Sequence, residues 1–529
     1  MQAGATRGMV GPSLYQRRVL EFVRSGTGNA VVRATAGAGK TTTLVQVAGI
    51  LPPDLRACFL AFAKDAATEL RSRLPARVHA STVHSLGRRA LAAALGKRGV
   101  QELEVDGIKY TKLIRAALAD LTPHAKTREE RGEWEEYLAN LVEYARLNHI
   151  DAANEHEIRD LAVRYNFTPP TDLDTETALH ERLQRVLDAG MQHALERGHI
   201  DFTDMLYVPE QARLPLPRYD FVCVDEAQDY SAVALNLTMR LVDPEQGGRL
   251  LFVGDPRQSI YGFAGADTDA LERIITRANA AVLPLSISYR CPKSHIALAK
   301  QIAPETEARP DAPEGNLYWI KDHALHKWAR EGDLVLCRNN GPLVSTCLRL
   351  VRSGKRARVS GRDLAEDLVR HSRKAFRQGF DNHAAKLDEY AERDVHQLRR
   401  RLKGRAHEET VIAQREDLFD CLRYLVKDLT RDGALTQRTL EERIRRTFGE
   451  ESDAITLSTV HRAKGQEADR VFILYPELMP ATYANTPEAI RGEECVQFVA
   501  LTRAKRDLVF VEQPPREDRS HLERALGVA

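Results

Sequence analysis

Short apolar runs recur along the chain, and stretches with helical periodicity separate most of them. Each run is about the length of a β-strand and is rich in Val, Ile, Phe or Leu, without alternating polar positions. Strands buried on both faces of a parallel sheet have this pattern, and the helices between them favour βαβ units. The pattern therefore predicts an α/β protein with parallel sheets. The predicted strands are Ala57–Phe62, Phe221–Val224, Leu250–Val253, Leu334–Cys337, Ile455–Leu457, Val471–Leu474 and Leu508–Val511.

Two stretches depart from this alternation, and we predict that both are helical insertions into α/β domains. Residues from about 100 to 195 are highly charged and include the helical segment Thr127–Leu138. Residues from about 370 to 447 include Leu387, Tyr390 and Leu398, which fall near one face of a helix. The basic cluster at 399–405 is typical both of a solvated helix face and of a DNA contact, and both interpretations stay open.

The composition argues against some classes of protein but does not identify a binding partner. The chain has 529 residues, of which 43% are hydrophobic and 29% charged, and its net charge is +2. Nucleic-acid binding would therefore rest on local grooves and not on a global positive field. The seven cysteines form no Cys-x-x-Cys pair, which argues against a zinc or iron–sulfur site and fits a reducing compartment. The sequence has neither an apolar stretch of membrane-spanning length nor a signal-peptide pattern, so we expect a soluble, cytoplasmic protein without a membrane partner.

A glycine-rich loop lies between a strand-like segment, Val31–Arg33, and a segment compatible with a helix, Thr42–Ala48. Two glycines let the backbone turn its N–H groups toward phosphate oxygens, and the helix N-terminus favours anions. Lys40 would reach the β- and γ-phosphates, and the Thr41 hydroxyl would bind Mg²⁺. We therefore predict a site for ATP and Mg²⁺ here; an ordinary glycine turn is the alternative. The predicted nucleotide-binding residues are Ala34, Thr35, Ala36, Gly37, Ala38, Gly39, Lys40, Thr41 and Thr42.

Two adjacent carboxylates follow the predicted strand Phe221–Val224. Asp225 can hold Mg²⁺, and Glu226 can orient or deprotonate the water that attacks a phosphate. An Asp-Glu pair after a strand also occurs in ordinary solvated loops. The phosphate-binding loop earlier in the chain favours the catalytic interpretation.

The strand Leu250–Val253 leads into a segment with a polar sensor candidate and two aromatic residues. Gln258 can both donate and accept a hydrogen bond, which suits a contact to a γ-phosphate and a water together. Tyr261 and Phe263 either pack beneath their loop or stack on nucleic-acid bases.

The ordered series of motifs resembles the UvrD/Rep/PcrA group of superfamily-1 helicases, from near residue 13 to about residue 511. The matching segments in the first half are Leu14–Gln16, Ala34–Thr41, Ala61–Leu70, Ser81–Leu86 and Ile200–Leu206. Those in the second half are Ser288–Cys291, Thr456–Glu467 and Glu494–Lys505.

The resemblance implies a role for individual residues in these segments. Gln16 would read the adenine, Tyr289 would stack on it, and Glu467 would hold the ribose. Arg290 and Arg503 would contact the γ-phosphate as arginine fingers, which are worth about 10³–10⁵ in rate. The residues expected to contact single-stranded DNA are Phe62, Tyr261 and Phe263, by stacking on bases, and His84, His461 and Lys464, along the backbone.

The resemblance also implies two RecA-like motor domains, each with a helical insertion. The predicted first motor domain comprises residues 1–99 and 196–284, with the insertion at 100–195. The predicted second motor domain comprises residues 285–369 and 448–529, with a reduced insertion at 370–447.

By this resemblance, the chain is expected to be a DNA-stimulated ATPase and helicase that moves 3′ to 5′ on single-stranded DNA. We further expect tailed duplex DNA as a substrate, a role in repair or replication, and a monomeric or weakly oligomeric protein. The segment Gly262–Ala266 departs from the family because it lacks the arginine before the glycine. The insertion at 370–447 is short, and this departure bears on duplex unwinding as opposed to translocation. The alternative is a translocase that displaces proteins, or an ATPase subunit that regulates a separate nuclease in defence or repair, with little unwinding.

Overall fold

The computed structural model describes residues 11–25, 27–96, 102–125, 127–165, 167, 169–170, 172–259, 270–402, 408–449, 454–481, 484 and 487–512. The chain divides into two compact units, Met1–Ile287 and Ser288–Ala529, which we call unit 1 and unit 2.

Unit 1 is built on a six-stranded sheet of order β3-β2-β6-β7-β1-β8, in which every described pairing is parallel. The central strands are apolar on both faces; all four residues of β6, for example, are buried. A separate small sheet pairs β4 with β5. The strands are β1 (Ala30–Ala34), β2 (Ala57–Leu60), β3 (His79–Ser81), β4 (Glu104–Val105), β5 (His199–Ile200), β6 (Phe221–Val224), β7 (Arg249–Gly254) and β8 (Ala281–Leu285).

Helices cover both faces of this sheet and form two hydrophobic cores, one on each side. The inserted helices α5 to α8 form a third core of their own, centred on Tyr137, Leu141 and Leu183. The helices are α1 (Leu14–Ser25), α2 (Lys40–Ile50), α3 (Lys64–Arg73), α4 (Val83–Ala94), α5 (Lys109–Ala117), α6 (Arg128–Asn148), α7 (Glu155–Arg164), α8 (Leu173–Gln192), α9 (Asp204–Gln211), α10 (Ala232–Met239) and α11 (Ala270–Arg277).

Unit 2 contains a second six-stranded sheet of order β11-β16-β15-β12-β14-β13, again parallel in every described pairing. Two parallel sheets flanked by helices confirm the predicted α/β fold class of two RecA-like motor domains. The strands of this sheet are β11 (Asn316–Lys321), β12 (Leu334–Cys337), β13 (Ala357–Val359), β14 (Ile455–Thr459), β15 (Ala468–Leu474) and β16 (Ala504–Glu512). Two short strands, β9 (Ile287–Ser288) and β10 (Glu307–Ala308), form a separate two-stranded sheet.

One hydrophobic core in unit 2 joins the sheet to the helices of the predicted insertion. It contains Val335 and Leu457 of the sheet together with Phe419, Leu422 and Leu440 of the inserted helices. The helices are α12 (Lys293–Ala299), α13 (Leu325–Trp328), α14 (Asn340–Arg352), α15 (Arg362–Ala375), α16 (His383–Leu402), α17 (Glu408–Arg431), α18 (Gln437–Thr447) and α19 (Pro487–Leu501). The inserted helices thus pack as an integral layer of unit 2, whereas those of unit 1 have a core of their own.

Among the described residues, none of the helices combines the length and the apolar character that crossing a membrane requires.

Candidate functional site

The predicted phosphate-binding loop connects the carboxyl end of β1 to the first turn of α2. Gly37 and Gly39 have φ values of 70° and 75°, which lie in the left-handed region that favours glycine. Gly39 is the N-cap residue of α2 and brings no side chain to it, so an anion can approach the amides of the first turn. Thr35 donates its amide to Leu285 O at 3.0 Å, which anchors the loop to strand β8. The backbone therefore has the form that phosphate binding requires.

The predicted carboxylates lie at the same edge of the sheet, directly after β6. Asp225 donates its amide to Leu60 O at 2.8 Å, so the carboxyl ends of β2 and β6 are held together. Glu226 follows with φ 51°, a left-handed conformation that costs a non-glycine residue about 1–3 kcal/mol and marks functional sites. Its Oε2 accepts a hydrogen bond from Lys40 Nζ at 2.7 Å. The structure thus brings Lys40, Asp225 and Glu226 together, and their roles with a nucleotide stay predictions.

The charge of Lys40 is balanced by an excess of negative groups. Burial alone would lower the pKa of Lys40, but the carboxylates of Glu226, Asp225 and Asp255 outweigh burial and raise it. Burial, together with the charge of Glu226, raises the pKa of Asp225 to about 6. A surplus of carboxylates at this edge is the environment that a divalent cation relieves.

The residues predicted to hold Mg²⁺ fit that ion chemically. Asp225 offers carboxylate oxygens, and Thr41 offers a hydroxyl from the first turn of α2. Mg²⁺ keeps several waters and binds through one or two protein oxygens plus substrate phosphates, so a dedicated cage is not needed. Within the described ranges, no group of three or more His, Cys, Asp or Glu side chains is arranged to hold a metal.

Gln258 lies at the carboxyl end of the neighbouring strand β7, in a short 3-10 turn, Pro256–Gln258. Its Nε2 donates to Asp255 Oδ2 at 2.6 Å, and Asp255 Oδ1 accepts from Arg257 N at 2.9 Å. Asp255 N in turn donates to Gln228 Oε1 at 3.0 Å. Because β6, β7 and β1 are neighbours in the sheet, all of these groups share one edge.

Gln16 is buried and bonded to the helix that carries the phosphate-binding loop. Its Nε2 donates to Thr43 Oγ1 at 3.1 Å, and that hydroxyl donates to Gly39 O at 2.9 Å. Its Oε1 accepts from Ser13 N at 2.9 Å. These bonds place Gln16 beside α2; its contact with adenine stays a prediction.

One of the predicted DNA-contacting residues of unit 1, Phe62, exposes an aromatic surface, and another, His84, stacks on an exposed ring. Phe62 follows β2 and is 50% exposed. The His84 ring stacks on Phe202, with 4.2 Å between centroids and 26° between planes, and Phe202 is 64% exposed. Burial lowers the pKa of His84 to about 4, so the ring is neutral at neutral pH. Tyr261 and Phe263 lie outside the described residues.

Helix α4, which carries His84, packs closely against α9, which begins two residues after Phe202. A Cβ atom at Gly87 of α4 would lie 1.8 Å from Met205 O, so only glycine fits at this crossing. The close approach of the two helices explains how His84 and Phe202 come into contact.

In unit 2, Glu467 and the predicted arginine finger Arg503 lie at the starts of two paired strands. Glu467 directly precedes β15 and Arg503 directly precedes β16, and these strands pair in parallel with Ala468 opposite Ala504. Arg290 Nε and Lys505 Nζ each contact the Glu467 carboxylate, at 2.5 and 2.6 Å.

The Glu467 carboxylate, predicted to hold the ribose, is thus charged and flanked by cations. Burial would raise its pKa, but the hydrogen bond from Lys505 and the charges of Arg290 and Lys505 lower it. Tyr289, predicted to stack on adenine, is half-buried beside Arg290.

Arg503 is buried, and local groups hold its guanidinium. Nε donates to Val499 O at 2.9 Å, Nη2 to Thr502 Oγ1 at 3.0 Å and Nη1 to Gln466 O at 3.4 Å. These bonds fix the planar fork at the end of α19.

His461 and Lys464 lie in the turn after β14, and both are half-buried. Burial, reinforced by the positive charges of Arg338 and Arg462, lowers the pKa of His461 to about 3. His461 is therefore neutral at neutral pH, and Lys464 is the cation of the predicted pair.

Residues that the sequence analysis did not single out also belong to these sites. Thr43 bonds Gln16, Gln228 and Asp255 join the carboxylate pair to Gln258, and Lys505 holds Glu467. All of these residues lie inside or next to the motifs named above. The sequence therefore shows where they lie along the chain, but the groups that they contact depend on how the loops fold.

A glycine-rich loop at a helix N-terminus and a carboxylate pair after a neighbouring strand define the class of P-loop nucleoside triphosphatases. Comparison with known proteins narrows this class. The model of the UvrD/REP helicase N-terminal domain matches residues 16–279. The chain belongs to the UvrD-like family of superfamily-1 helicases.

Several curated relatives align with this chain at low identity. F-box DNA helicase protein 1 of Schizosaccharomyces pombe is 24% identical over 503 residues, covering 90% of this chain and 55% of the relative. DNA helicase II of Escherichia coli is 22% identical, covering 64% of this chain and 48% of the relative. ATP-dependent DNA helicase PcrA of Staphylococcus aureus is 25% identical, covering 55% and 40%. The chain thus spans about half the length of the curated relatives it matches.

Proposed function

We propose that the protein is a DNA-stimulated ATPase and helicase that uses ATP and Mg²⁺ to move along single-stranded DNA. The observation that carries the proposal is the ion pair between Lys40 and Glu226 beside Asp225, at the mouth of a phosphate-binding loop. Family membership supports DNA as the polymer, since the relatives named above are DNA helicases.

In this proposal, residues of unit 1 bind the nucleotide and activate water. Lys40 would leave Glu226 for the β- and γ-phosphates, because phosphate oxygens offer it more negative charge than one carboxylate does. Glu226 would then be free to orient or deprotonate the attacking water. Thr41 and Asp225 would hold Mg²⁺, whose charge neutralises phosphate oxygens when it is bound. Gln258 would contact the γ-phosphate and a water together.

Residues of unit 2 would add positive charge during phosphoryl transfer. The transition state spreads negative charge over the phosphoryl oxygens, so late-arriving cations lower the barrier. Arg290 and Arg503 have this role in the proposal. Gln16, Tyr289 and Glu467 would bind the adenine and the ribose.

Single-stranded DNA would be held by stacking and by a few backbone contacts. Exposed rings offer about 1–3 kcal/mol per stacked base without sequence preference. Phe62, with Tyr261 and Phe263, is proposed for stacking, and Lys464, with His84 and His461, for the backbone. The 3′-to-5′ direction and the use of tailed duplexes rest on the family resemblance.

Replacing the loop lysine tests the proposal. Lys40→Ala is expected to lower DNA-stimulated ATP hydrolysis by at least about 100-fold, since it removes a preorganised cation from the phosphates. Binding of labelled single-stranded DNA should stay close to wild type. Lys427→Ala, an exposed lysine of α17, is the matched control and should hydrolyse ATP normally. Full hydrolysis by Lys40→Ala would contradict the proposed function.

A second candidate, favoured by the core that the inserted helices of unit 2 share with the sheet, is a translocase with little unwinding. Such a protein would displace proteins from DNA or regulate a separate nuclease. Displacement of streptavidin from biotinylated single-stranded DNA, beside strand displacement from a duplex, separates the two. Streptavidin removal without strand separation would favour this second candidate, and co-purification with a nuclease would favour the regulatory form.

A further inference from the structure

Gln228 is a buried amide that contacts both carboxylate-bearing loops of unit 1. It lies in the 3-10 turn Ala227–Asp229 and is 1% exposed. Its Nε2 donates to Glu226 Oε2 at 2.6 Å, and its Oε1 accepts from Asp255 N at 3.0 Å. One side chain therefore bonds the end of β6 to the end of β7.

The Glu226 oxygen that Gln228 contacts is the oxygen that Lys40 also contacts. Lys40 Nζ lies 2.7 Å from Glu226 Oε2. If Lys40 turns to the phosphates when a nucleotide binds, Glu226 loses that donor. The neutral donor of Gln228 would remain on the carboxylate and keep it in place without neutralising its charge. Such a donor suits a carboxylate that has to accept a proton or orient water.

The backbone around Gln228 is shaped to accept this amide. A Cβ atom at Gly254 would lie 2.6 Å from Gln228 Oε1 and 3.1 Å from Gln228 N, so glycine leaves the space that the amide fills. Asp255, the partner of Gln228, holds Gln258 through its own carboxylate at 2.6 Å. A continuous chain of bonds thus runs from Glu226 through Gln228 and Asp255 to Gln258.

We infer that Gln228 is a positioning residue for ATP hydrolysis, which holds Glu226 so that it can orient or deprotonate the attacking water, and which couples Glu226 to the Asp255–Gln258 loop. This inference rests on the proposed function. A purely structural amide would affect folding and nucleotide affinity in proportion to turnover. A positioning amide would instead affect turnover alone and would act only through Glu226.

Gln228→Met tests this, because methionine has a similar volume but can neither donate to Glu226 nor accept from Asp255. Misplacement of a reacting group by about 1 Å can cost about 100-fold, so we expect kcat for DNA-stimulated hydrolysis to fall about 10- to 100-fold. Affinity for a fluorescent ADP analogue and the midpoint of urea unfolding should stay close to wild type. Gln192→Met, at an exposed glutamine of α8, is the control.

A double-mutant cycle with Glu226→Gln separates positioning from other roles. If Gln228 acts through Glu226, then Gln228→Met should cause no further loss of kcat in the Glu226→Gln background. Additive losses, a wild-type kcat for Gln228→Met, or a fall in nucleotide affinity that matches the loss of kcat would each overturn the inference.

Gly254→Ala keeps the test decisive if Gln228→Met fails to fold. The added Cβ displaces Gln228 Oε1 but removes no polar group, so a selective loss of kcat is again expected, and normal turnover would overturn the inference.

Wild type and Lys40→Ala are assayed in parallel. An inactive wild type would contradict the proposed function itself, whereas an active wild type with an equally active Gln228→Met contradicts only the role of Gln228.

Discussion

At the scale of single residues, the lysine and the carboxylates at the carboxyl edge of the six-stranded sheet of unit 1 interact with one another. Lys40 is held by Glu226 and keeps a raised pKa because Glu226, Asp225 and Asp255 together outweigh its burial. Glu226 occupies a left-handed backbone conformation that nothing in its side chain favours. The fold thus gives up some stability to place a carboxylate beside Lys40, the lysine predicted to bind phosphate, which is typical of a functional site and not of a packing residue.

Replacing Arg503 tests whether its positive charge acts on the transition state of ATP hydrolysis. Arg503→Ala is expected to lower kcat for ATP hydrolysis by about 1,000-fold or more, because an arginine finger acts on the transition state. Affinity for a fluorescent ADP analogue should change little. Arg506→Ala, which replaces an exposed arginine of β16, is the control. Normal turnover by Arg503→Ala in single-turnover assays would show that Arg503 is not a finger.

The salt dependence of DNA binding distinguishes the two side chains in the turn after β14. His461 gains a proton only as the pH falls toward about 3, so at pH 7.5 it carries no charge, whereas Lys464 does. Lys464→Ala is therefore expected to reduce the slope of log affinity against log salt by about 0.7, the value for one single-strand phosphate contact. His461→Gln should leave that slope unchanged. An equal reduction in both variants would mean that His461 is charged when DNA binds.

A residue of the candidate site could be predicted where its type and its position after a predicted strand together indicate a role. Lys40, Asp225 and Glu226 were found in this way, and the structure brings them together. Gln228 was not, because an amide in a loop has many possible partners, and only the folded ends of β6 and β7 bring Glu226 and Asp255 to it.

At the scale of elements, the strands that could be predicted from the sequence are those that are buried on both faces of a sheet. Phe221–Val224 and Leu334–Cys337 were predicted with the bounds that the structure has, because all of their residues are apolar and buried. Edge strands were missed. β8 and β11 have mostly exposed or half-buried residues, so no continuous apolar run marks them. β16 was predicted too short because Lys505, Arg506 and Asp507 interrupt the apolar pattern near its start, and their place in the strand follows only from its pairing with β15.

A carboxylate on an inserted helix of unit 2 bonds the first residues of a helix in the sheet layer. Asp417 of α17 accepts from Asn340 N at 2.7 Å and from Gly341 N at 2.6 Å, and so caps the N-terminus of α14. Asp417→Ala is expected to lower the free energy of unfolding by about 1–3 kcal/mol, since it leaves buried amides without an acceptor. Asp417→Asn retains one acceptor oxygen and should cost less.

Urea unfolding of the full chain measures this loss. Lys427→Ala lies on the same helix but is exposed, and it should change the free energy of unfolding by no more than about 0.5 kcal/mol. A loss for Asp417→Ala as small as that of the control would show that the cap contributes nothing to the attachment of α17.

At the scale of the whole molecule, the two insertions relate differently to their sheets. The inserted helices of unit 1 have a core of their own, whereas those of unit 2 share one core with β12 and β14. Core residues that belong to both layers have to move together, because close-packed interiors deform little. The inserted helices of unit 2 are therefore expected to move with their sheet as one body.

The polarity of unwinding is part of the proposed function and can be measured on tailed duplexes. The purified protein is expected to separate 3′-tailed duplexes in the presence of ATP and Mg²⁺, with little separation of 5′-tailed or blunt duplexes, because the family resemblance implies 3′-to-5′ movement. A fluorescence assay of strand separation on the three substrates, at equal protein and at low salt to retain phosphate contacts, measures this preference. Lys40→Ala provides the control for ATP dependence and should separate none of them. Preference for the 5′-tailed substrate would contradict the direction, while ATP hydrolysis and streptavidin displacement without strand separation on any substrate would assign the motor to translocation alone.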